Sequence, residues 1–406
     1  MKDLEPPTWQ QSRESVLQNK QLTHIIETPH DTSFFLIDLS CIIQQLAYWR
    51  QELPFVTPYY AIKCNPNQTI LQLLQHLGAR FDCASQGEIQ KALACGAKPE
   101  EIIYANPIKS THFIRYAQQV WVQKMTFDSI EELEKIAAIY PKAQAILRIA
   151  VDDSQSVCKF NSKFGAFPDQ VLSIFSKAHE LQIDIAGVSF HVGSGCRDPQ
   201  THKNAIISAL ETIQQGRKED FSMKILDIGG GYPSSDRYIQ FSEITKYIRE
   251  AYEEMLQKSP EISDLEWIGE PGRYMVGTSH TMIWEIIGKK VYNDKTRLYL
   301  GEGVYGSLSG IMFDYMSPLF SFYKKENTPF TAKATFFGPT CDSLDTFGEF
   351  DIPDIKIGDT MMFFHIGDYS ITSASTFNGF AFPKMYYYVS KEEDRKLVQN
   401  LWVEIL

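Results

Sequence analysis

The chain has no long apolar run. None of its segments approaches the roughly 20 consecutive apolar residues that a membrane-spanning helix needs. Residues 1–7 lack an apolar stretch after a basic start, so they do not have the pattern of a signal peptide. We therefore predict a cytoplasmic protein with no membrane partner.

Positive charge is also scarce. The 39 lysines and arginines are outnumbered by 50 aspartates and glutamates, which gives a formal net charge of -11. Nucleic acids and anionic membranes are bound by clustered positive charge. This balance argues against a nucleic-acid partner and favours a small-molecule substrate.

Paired cysteines are missing as well. The seven cysteines are scattered, odd in number, and form neither a CxxC pair nor a ligand-like spacing with histidine. Such a pattern is typical of a reducing compartment and predicts no structural zinc. We expect no metal in the functional site.

What the sequence does contain is a rhythm of short apolar runs separated by longer helical patterns. The runs occupy residues 58–64, 79–84, 101–106, 120–127, 144–150, 184–191, 224–228 and 265–270. Eight strands that alternate with helices over this length predict a (β/α)8 barrel, the TIM-like architecture.

After about residue 278 the pattern changes to strands without long helices between them. We predict an α/β plus all-β protein with three segments. Residues 1 to about 33 are polar and rich in glutamine, and residues 33–38 have the pattern of a strand. We predict that 1–38 form an N-terminal segment that packs with the β domain, that 39–278 form the barrel, and that 279–406 form a C-terminal β-sheet domain.

Polar residues recur where the predicted barrel strands end, which is where barrel enzymes build their active sites. In strand order they are Lys63, Asp82, Asn106, Asp128, Arg148, His191, the triplet Gly229-Gly230-Gly231, and Glu270. Aspartate and asparagine also cap helices, and we assign that role to Asp128, with Asn106 as a second candidate. The others are candidates for chemistry.

Lys63 ends an apolar run in which Tyr59 and Ala61 share its face. A lysine desolvated in a barrel has a lowered pKa and can act as an amine nucleophile toward a carbonyl cofactor. The alternative is a strand-end lysine that reaches into solvent.

The glycine triplet follows a strand and predicts a phosphate site, because backbone amides without side chains approach an anion closely. Ser194, in the next loop back along the chain, can add a hydroxyl. A tight turn is the alternative explanation.

Glu270-Pro271-Gly272-Arg273 ends the eighth predicted strand. The glutamate can keep a pyridine nitrogen protonated and the arginine can bind phosphate; a local ion pair is the alternative. His191 can stack on an aromatic cofactor, although a lone histidine in an apolar strand is also typical of a protein core. Taken together, these features describe a pyridoxal 5'-phosphate site.

With these motifs in place, the sequence resembles the fold type III, alanine racemase-like decarboxylases of basic amino acids, and among them the eukaryotic-type ornithine decarboxylases. The resemblance rests on motifs at residues 60–65, 81–85, 147–150, 190–195, 227–231, 270–273, 338–345 and 375–380. It implies decarboxylation of L-ornithine to putrescine and carbon dioxide. Lysine decarboxylation, alone or in addition, is the main alternative; a catalytically dead regulatory homologue and a racemase are further ones.

The resemblance also implies a role for each matched residue. The cofactor-binding set comprises Lys63, Asp82, Arg148, His191, Ser194, Gly229, Gly230, Gly231, Glu270, Pro271, Gly272, Arg273 and Tyr369. Within it, Lys63 matches the Schiff-base lysine, Glu270 the partner of the pyridine nitrogen, and His191 the residue stacked on the ring. Lys63 and His191 are therefore also expected to be catalytic.

A second implied set lies in the C-terminal domain. Cys341 matches the catalytic cysteine that returns a proton to the substrate, and Asp342 with Asp314 matches the acidic pair that receives the distal ammonium of a diamino acid. The family arrangement is a head-to-tail homodimer in which the two sets come from different subunits. Phe313, at the pocket edge, stands where tyrosine is usual, and Asp368 stands where a small residue is usual.

Overall fold

The computed structural model of the chain describes residues 5–235, 238–325, 328–401 and 403–406. Two compact units divide the chain. The first, which we call the β unit, combines residues 1–44 with 276–406, and the second, the barrel unit, consists of residues 45–275.

The N-terminal segment contains two helices that we did not predict. The first elements are helix α1 (Trp9–Gln18), helix α2 (Lys20–Glu27), strand β1 (Phe34–Asp38) and helix α3 (Leu39–Glu52). A capping box begins α1: the Gln11 amide donates to Thr8 Oγ1, and the Thr8 amide donates to Gln11 Oε1 at 2.7 Å. The Thr-x-x-Gln pattern was the available signal.

Eight parallel strands of the barrel unit close into a barrel, which confirms the predicted (β/α)8 architecture. The strands of this unit are β2 (Val56–Ala61), β3 (Arg80–Cys83), β4 (Ile102–Tyr104), β5 (Lys124–Phe127), β6 (Gln144–Arg148), β7 (Ser156–Cys158), β8 (Ile185–Ser189), β9 (Ser194–Cys196), β10 (Ile225–Asp227) and β11 (Glu266–Gly269). The hydrogen-bonded order is β10-β11-β2-β3-β4-β5-β6-β8, closed by the β8–β10 pair. The two remaining strands, β7 and β9, form a separate antiparallel ribbon.

Buried apolar side chains from six of the barrel strands fill the barrel interior. They are Tyr59, Ile103, Ile146, Ala186, Ile225 and Ile268. Because alternate residues of a strand face the interior, this layer fixes which residues beyond it point into the barrel mouth.

The helices of the barrel unit are α4 (Gln68–His76), α5 (Gln86–Ala94), α6 (Thr111–Gln119), α7 (Ile130–Ile139), α8 (Val171–Leu181), α9 (Gln200–Lys218), α10 (Phe241–Lys258) and the short α11 (Arg273–Val276). Four of them, α4 to α7, begin at side-chain caps, whereas α8, α9 and α10 do not. Ser110 caps α6 and Ser129 caps α7. The cap roles assigned to Asn106 and Asp128 were therefore wrong, because the cap is the residue directly before the first helical one.

The rest of the β unit is a mostly antiparallel sheet, as predicted for a β-rich second domain. Its elements are β12 (His280–Tyr292), β13 (Lys295–Leu300), α12 (Gly310–Phe313), β14 (Leu319–Phe322), β15 (Ala332–Phe337), β16 (Thr346–Ile352), β17 (Thr360–Phe364), β18 (Lys384–Tyr388) and α13 (Arg395–Val398). The main path of the sheet is β14-β17-β12-β13-β15-β16. The N-terminal strand β1 joins it, antiparallel to β12 and parallel to β18.

Candidate active site

Lys63 lies just beyond strand β2, in a single 3-10 turn that spans Ile62–Cys64. We predicted that the strand reached residue 64, but it ends at Ala61. Lys63 Nζ forms an ion pair with Asp82 Oδ2, and Asp82 is only 1% exposed. Asp82 Oδ1 has no hydrogen-bond partner among the described residues. The lysine is thus held by a buried carboxylate at the barrel mouth.

Two carboxyl groups are buried together on the neighbouring strands β10 and β11. Asp227 ends β10 and is fully buried, and Glu270 follows β11 and is also buried. Burial, together with the nearby Asp227 and Asp82, raises the pKa of Glu270 well above its usual range. Burial also raises the pKa of Asp227 to about 7. Removal from water disfavours the charged form of each acid.

Arg148 supplies positive charge to the same region. Its guanidinium acts electrostatically on Glu270, Asp227 and Asp82, and it lies over the Phe164 ring at 5.1 Å. Burial lowers the pKa of Arg148, yet an arginine stays charged at neutral pH. A fixed cation therefore faces the cluster of buried acids.

His191 is a neutral imidazole at this barrel mouth. Burial, with Arg148 and Lys63 nearby, lowers its pKa well below the usual value. The Gly193 amide donates to His191 Nδ1 at 3.0 Å, and the Phe160 ring packs at 4.9 Å, nearly perpendicular to the imidazole. Since Nδ1 accepts a hydrogen bond, the proton of the neutral ring is on Nε2.

The glycine triplet leaves no room for side chains. A Cβ added at Gly230 would lie 3.0 Å from His191 Nε2 and 2.7 Å from the Glu270 carbonyl oxygen. At Gly231, whose φ is +99°, it would lie 2.3 Å from the Gly193 carbonyl oxygen. These positions can only be glycine, so backbone lies close against the site.

A hydroxyl and a guanidinium meet near the triplet. Arg273 Nη2 donates to Ser194 Oγ at 3.1 Å. Arg273 begins helix α11. Just before it, the Pro271 carbonyl oxygen accepts from the Ala61 amide and so links this loop to the end of β2, while the Gly272 carbonyl oxygen accepts from the Met275 amide within the first turn of α11. The structure thus brings the predicted residues of the barrel unit together at one end of the barrel.

The predicted residues of the β unit lie on three separate segments of it. Cys341 is exposed, and its amide donates to Asn378 Oδ1 at 2.8 Å. Asp342 accepts a hydrogen bond from the Tyr305 hydroxyl, which lowers the pKa of Asp342. This pair defines the first segment.

Phe313 and Asp314, at the end of α12, form the second segment. The Phe313 side chain is 70% exposed. The third segment contains Tyr369, whose φ of +47° is left-handed, and Asp368, which is buried. Asp368 therefore does not project from the surface of its own unit, as an ordinary surface carboxylate would.

Asp227 is the residue that the sequence reasoning missed. We treated it only as part of a motif, although an acidic residue that ends the apolar run at 225–226 and precedes Ile228 is itself a signal. Across the described ranges, no group of three or more His, Cys, Asp or Glu side chains could hold a metal ion. Within the same ranges, no helix is long and apolar enough to cross a membrane.

Barrel enzymes that bind a phosphorylated cofactor do so at the carboxyl ends of their strands, and the barrel unit falls into that class. Residues 39–277 match the family model described as "Pyridoxal-dependent decarboxylase, pyridoxal binding domain". The chain belongs to this family of pyridoxal-dependent decarboxylases.

Relatives of the chain are similar over most of its length. The rat protein named ornithine decarboxylase is 40% identical over 391 residues, which cover 92% of this chain and 84% of the rat protein. A Xenopus laevis protein named antizyme inhibitor 2 is 37% identical, covering 91% and 84% respectively. The similar proteins therefore include one named as an enzyme and one named as an inhibitor of another protein.

Solved structures are similar to the chain over about nine tenths of its length. Arginine decarboxylase of Paramecium bursaria Chlorella virus, solved with agmatine, superposes with a TM-score of 0.85 at 30% identity over 90% of this chain and 99% of that one. Lysine/ornithine decarboxylase of Vibrio vulnificus, solved with cadaverine, gives 0.82 at 29% over 91% and 99%.

Proposed function

We propose that the chain is a decarboxylase that uses pyridoxal 5'-phosphate to convert L-ornithine into putrescine and carbon dioxide. The observation that carries the cofactor assignment is Lys63, paired with Asp82 in the same barrel mouth as the buried Glu270. The choice of ornithine is supported by the 40% identity with the rat enzyme of that name.

The residues present fit the cofactor. Glu270 is a buried carboxyl whose pKa is raised by burial and by the nearby Asp227 and Asp82, and a protonated ring nitrogen would stabilise its charged form. The glycine triplet allows a phosphate to approach backbone amides, and Ser194 and Arg273 add a hydroxyl and a cation beside them. These groups would hold the ring nitrogen and the phosphate.

Each barrel residue then has a chemical task. The bound cofactor supplies an electron sink for the bond that breaks at the α carbon. Lys63 Nζ would hold the cofactor as an amine nucleophile, and Asp82 keeps this nitrogen in place. Glu270 as a carboxylate would keep the ring nitrogen protonated, and the neutral His191 imidazole would contact the ring without adding a charge.

The β-unit residues would act on the substrate. Cys341 is exposed on its own subunit. It is therefore accessible to a partner's site, where its thiol would return a proton to the α carbon. The pKa of Asp342 is lowered, so it is a carboxylate at neutral pH and can pair with the distal ammonium. Asp314 completes the acidic pair.

Carbon dioxide release from ornithine, lysine, arginine and diaminopimelate, compared in parallel, tests the substrate assignment. We expect the highest kcat/KM with ornithine. The acidic pair favours a terminal ammonium over a terminal carboxylate, so preference for diaminopimelate would contradict the assignment. No release from any of the four would instead favour the regulatory role, which the antizyme inhibitor 2 relative makes the second candidate.

Lysine is the substrate most difficult to separate from ornithine. One methylene changes binding by about 1 to 3 kcal/mol in a pocket, and the solved lysine/ornithine enzyme is similar in fold. A kcat/KM ratio near one would therefore assign the chain to the dual-specificity enzymes.

We also propose a head-to-tail homodimer in the cytoplasm, with Cys341 and Asp342 of one subunit completing the partner's barrel site. Exposed apolar side chains close in sequence to the predicted residues of the β unit support this arrangement. They are Met312, Phe313, Tyr315 and Leu344. Large exposed apolar side chains are typical of a protein interface.

A further inference from the structure

Asp227 is built into the backbone of the site. It is 0% exposed at the end of β10, and the Gly229 amide donates to its Oδ1 at 2.9 Å. The carbonyl oxygen of the same Gly229 accepts from the Glu270 amide at 2.7 Å. One glycine thus links Asp227 to Glu270 across two neighbouring strands.

The second oxygen of Asp227 is not used by the backbone. Asp227 Oδ2 is buried and has no hydrogen-bond partner among the described residues. The carboxyl groups of Asp227 and Glu270 are close enough for each to affect the pKa of the other. Two carboxylate oxygens cannot hydrogen-bond without a proton, so a single proton between them would satisfy both.

The other groups that face Asp227 come from several elements. Asp82 lies on β3, Lys124 on β5, Arg148 on β6 and Tyr232 in the loop after β10. Asp82 is an acid that opposes ionisation of Asp227, whereas Arg148 favours it. Burial is the largest effect on the pKa of Asp227 and raises it to about 7.

We infer that Asp227 is a positioning residue for the cofactor ring: in its protonated form it donates from Oδ2 to Glu270 and so holds the Glu270 carboxylate toward the ring nitrogen. The inference rests on the proposed cofactor site. One oxygen of Glu270 accepts from Asp227, which leaves the other for the ring N-H.

The proton count of the pair stays constant in this arrangement. Two buried acids share one proton and carry one negative charge together. The hydrogen bond between the two acids raises the pKa of Glu270 and lowers that of Asp227, so without a cation beside them the shared proton is on Glu270. A protonated ring nitrogen would favour the Glu270 carboxylate, and the shared proton would then be on Asp227. A second ionised acid at Asp227 would leave an unpaired negative charge buried beside them.

Two substitutions separate this role from a purely structural one. Asp227→Asn keeps an acceptor for the Gly229 amide and an N-H donor for Glu270, whereas Asp227→Ala removes both. The readout is the dissociation constant of 1-deazapyridoxal 5'-phosphate divided by that of pyridoxal 5'-phosphate. The first ligand has carbon in place of the ring nitrogen. Damage to the phosphate cradle weakens both ligands and cancels in this ratio.

We expect the ratio to stay within about threefold of the wild-type value in Asp227→Asn and to fall about tenfold in Asp227→Ala, the size of a lost hydrogen bond to a charged group. Asp128→Ala is the matched control, because Asp128 is another aspartate at a strand end that accepts from a glycine amide, that of Gly165 at 2.8 Å. It should leave the ratio unchanged.

Other results overturn the inference. An unchanged ratio in Asp227→Ala would mean a structural role only, and an equal fall in Asp227→Asn would mean that Asp227 acts as an anion. If Asp227→Ala does not fold, Asp227→Ser replaces it, since its hydroxyl can accept from Gly229 but is too short to reach Glu270. A wild-type protein that binds neither ligand would refute the proposed function itself.

Discussion

At the scale of single residues, Lys63 combines an ion pair with a partly exposed side chain. Its ammonium pairs with Asp82, while its side chain remains 39% exposed. The same nitrogen therefore has a fixed position and an open approach, which a nucleophile needs. Nζ is oriented by its ion pair with the buried Asp82, and the lysine itself is not buried.

Replacing Lys63 should separate chemistry from stability. Lys63→Arg keeps a cation for Asp82 but no amine nucleophile, so we expect turnover to be lost while the melting temperature changes by only a few degrees. Lys63→Ala should also lose turnover and, in addition, lower the melting temperature, because Asp82 is left buried without its cation. Carbon dioxide release and thermal unfolding provide the two measurements. Appreciable decarboxylation by either variant contradicts the assigned role.

Glu302 provides a test of pH dependence away from the proposed site. It is 8% exposed, its Oε2 accepts from the Ser307 amide at 2.8 Å, and burial raises its pKa from 4.5 to about 7. Between these pH values the folded state keeps a proton that the unfolded state releases. The free energy of unfolding therefore falls as pH rises through this range, by about 3 kcal/mol at most.

Removing this acid should flatten the dependence. Glu302→Gln keeps the acceptor for Ser307, and we expect the wild type to lose stability relative to this variant between pH 5 and pH 7.5 in urea unfolding. Glu285 is an exposed glutamate of the same unit. Glu285→Gln should change the free energy of unfolding equally at both pH values. A constant difference between wild type and Glu302→Gln is the contrary result.

At the scale of elements, the loops that follow the barrel strands hold the candidate groups. The glycine triplet after β10 packs so closely against His191 and Glu270 that a methyl group does not fit. The backbone of this loop is therefore part of the site, together with the side chains of His191 and Glu270. Its shape depends on contacts with the adjacent strand ends.

We expect Gly230→Ala to weaken binding of pyridoxal 5'-phosphate by tenfold or more, since its Cβ would displace either His191 or the Glu270 backbone. Gly87→Ala is the control. Gly87 lies in the first turn of α5, and its nearest neighbour to an added Cβ is 3.9 Å away. That variant should bind the cofactor normally and gain slightly in stability. Equal affinities for both variants would contradict the close packing.

At the scale of the whole molecule, the predicted residues are divided between the two units. Lys63 and Glu270 belong to the barrel unit, whereas Cys341, Asp342 and Tyr369 belong to the β unit. In the proposed homodimer a complete site takes the first set from one subunit and Cys341 with Asp342 from the other. A closed twofold assembly makes two such sites.

Mixing two inactive variants tests this division. Lys63→Ala and Cys341→Ala each destroy one set, and a hybrid dimer contains one site in which both sets are intact. With random exchange half of the dimers are hybrids, so we expect about a quarter of the wild-type activity after mixing. Each variant mixed with itself is the control. No recovery despite demonstrated subunit exchange would place both sets in one subunit.

The sequence by itself determined the barrel and the positions at which its candidate residues occur. Short β-branched runs that alternate with helical patterns define strands and helices locally, and parallel strands bring their carboxyl ends to one side. Residue types such as the glycine triplet and Glu270 then indicated a phosphate site and a ring partner. These inferences need only local patterns and one rule of topology.

Only the tertiary structure decided which groups meet. Lys63 lies in a turn after the strand, and Ser129 rather than Asp128 caps its helix, because strand ends and caps depend on backbone hydrogen bonds that residue type does not specify. The pairing of Asp227 with Glu270 depends on β10 and β11 being neighbours in the barrel and on one glycine linking them. Burial, which sets the pKa of both acids, comes from atoms distant in the sequence.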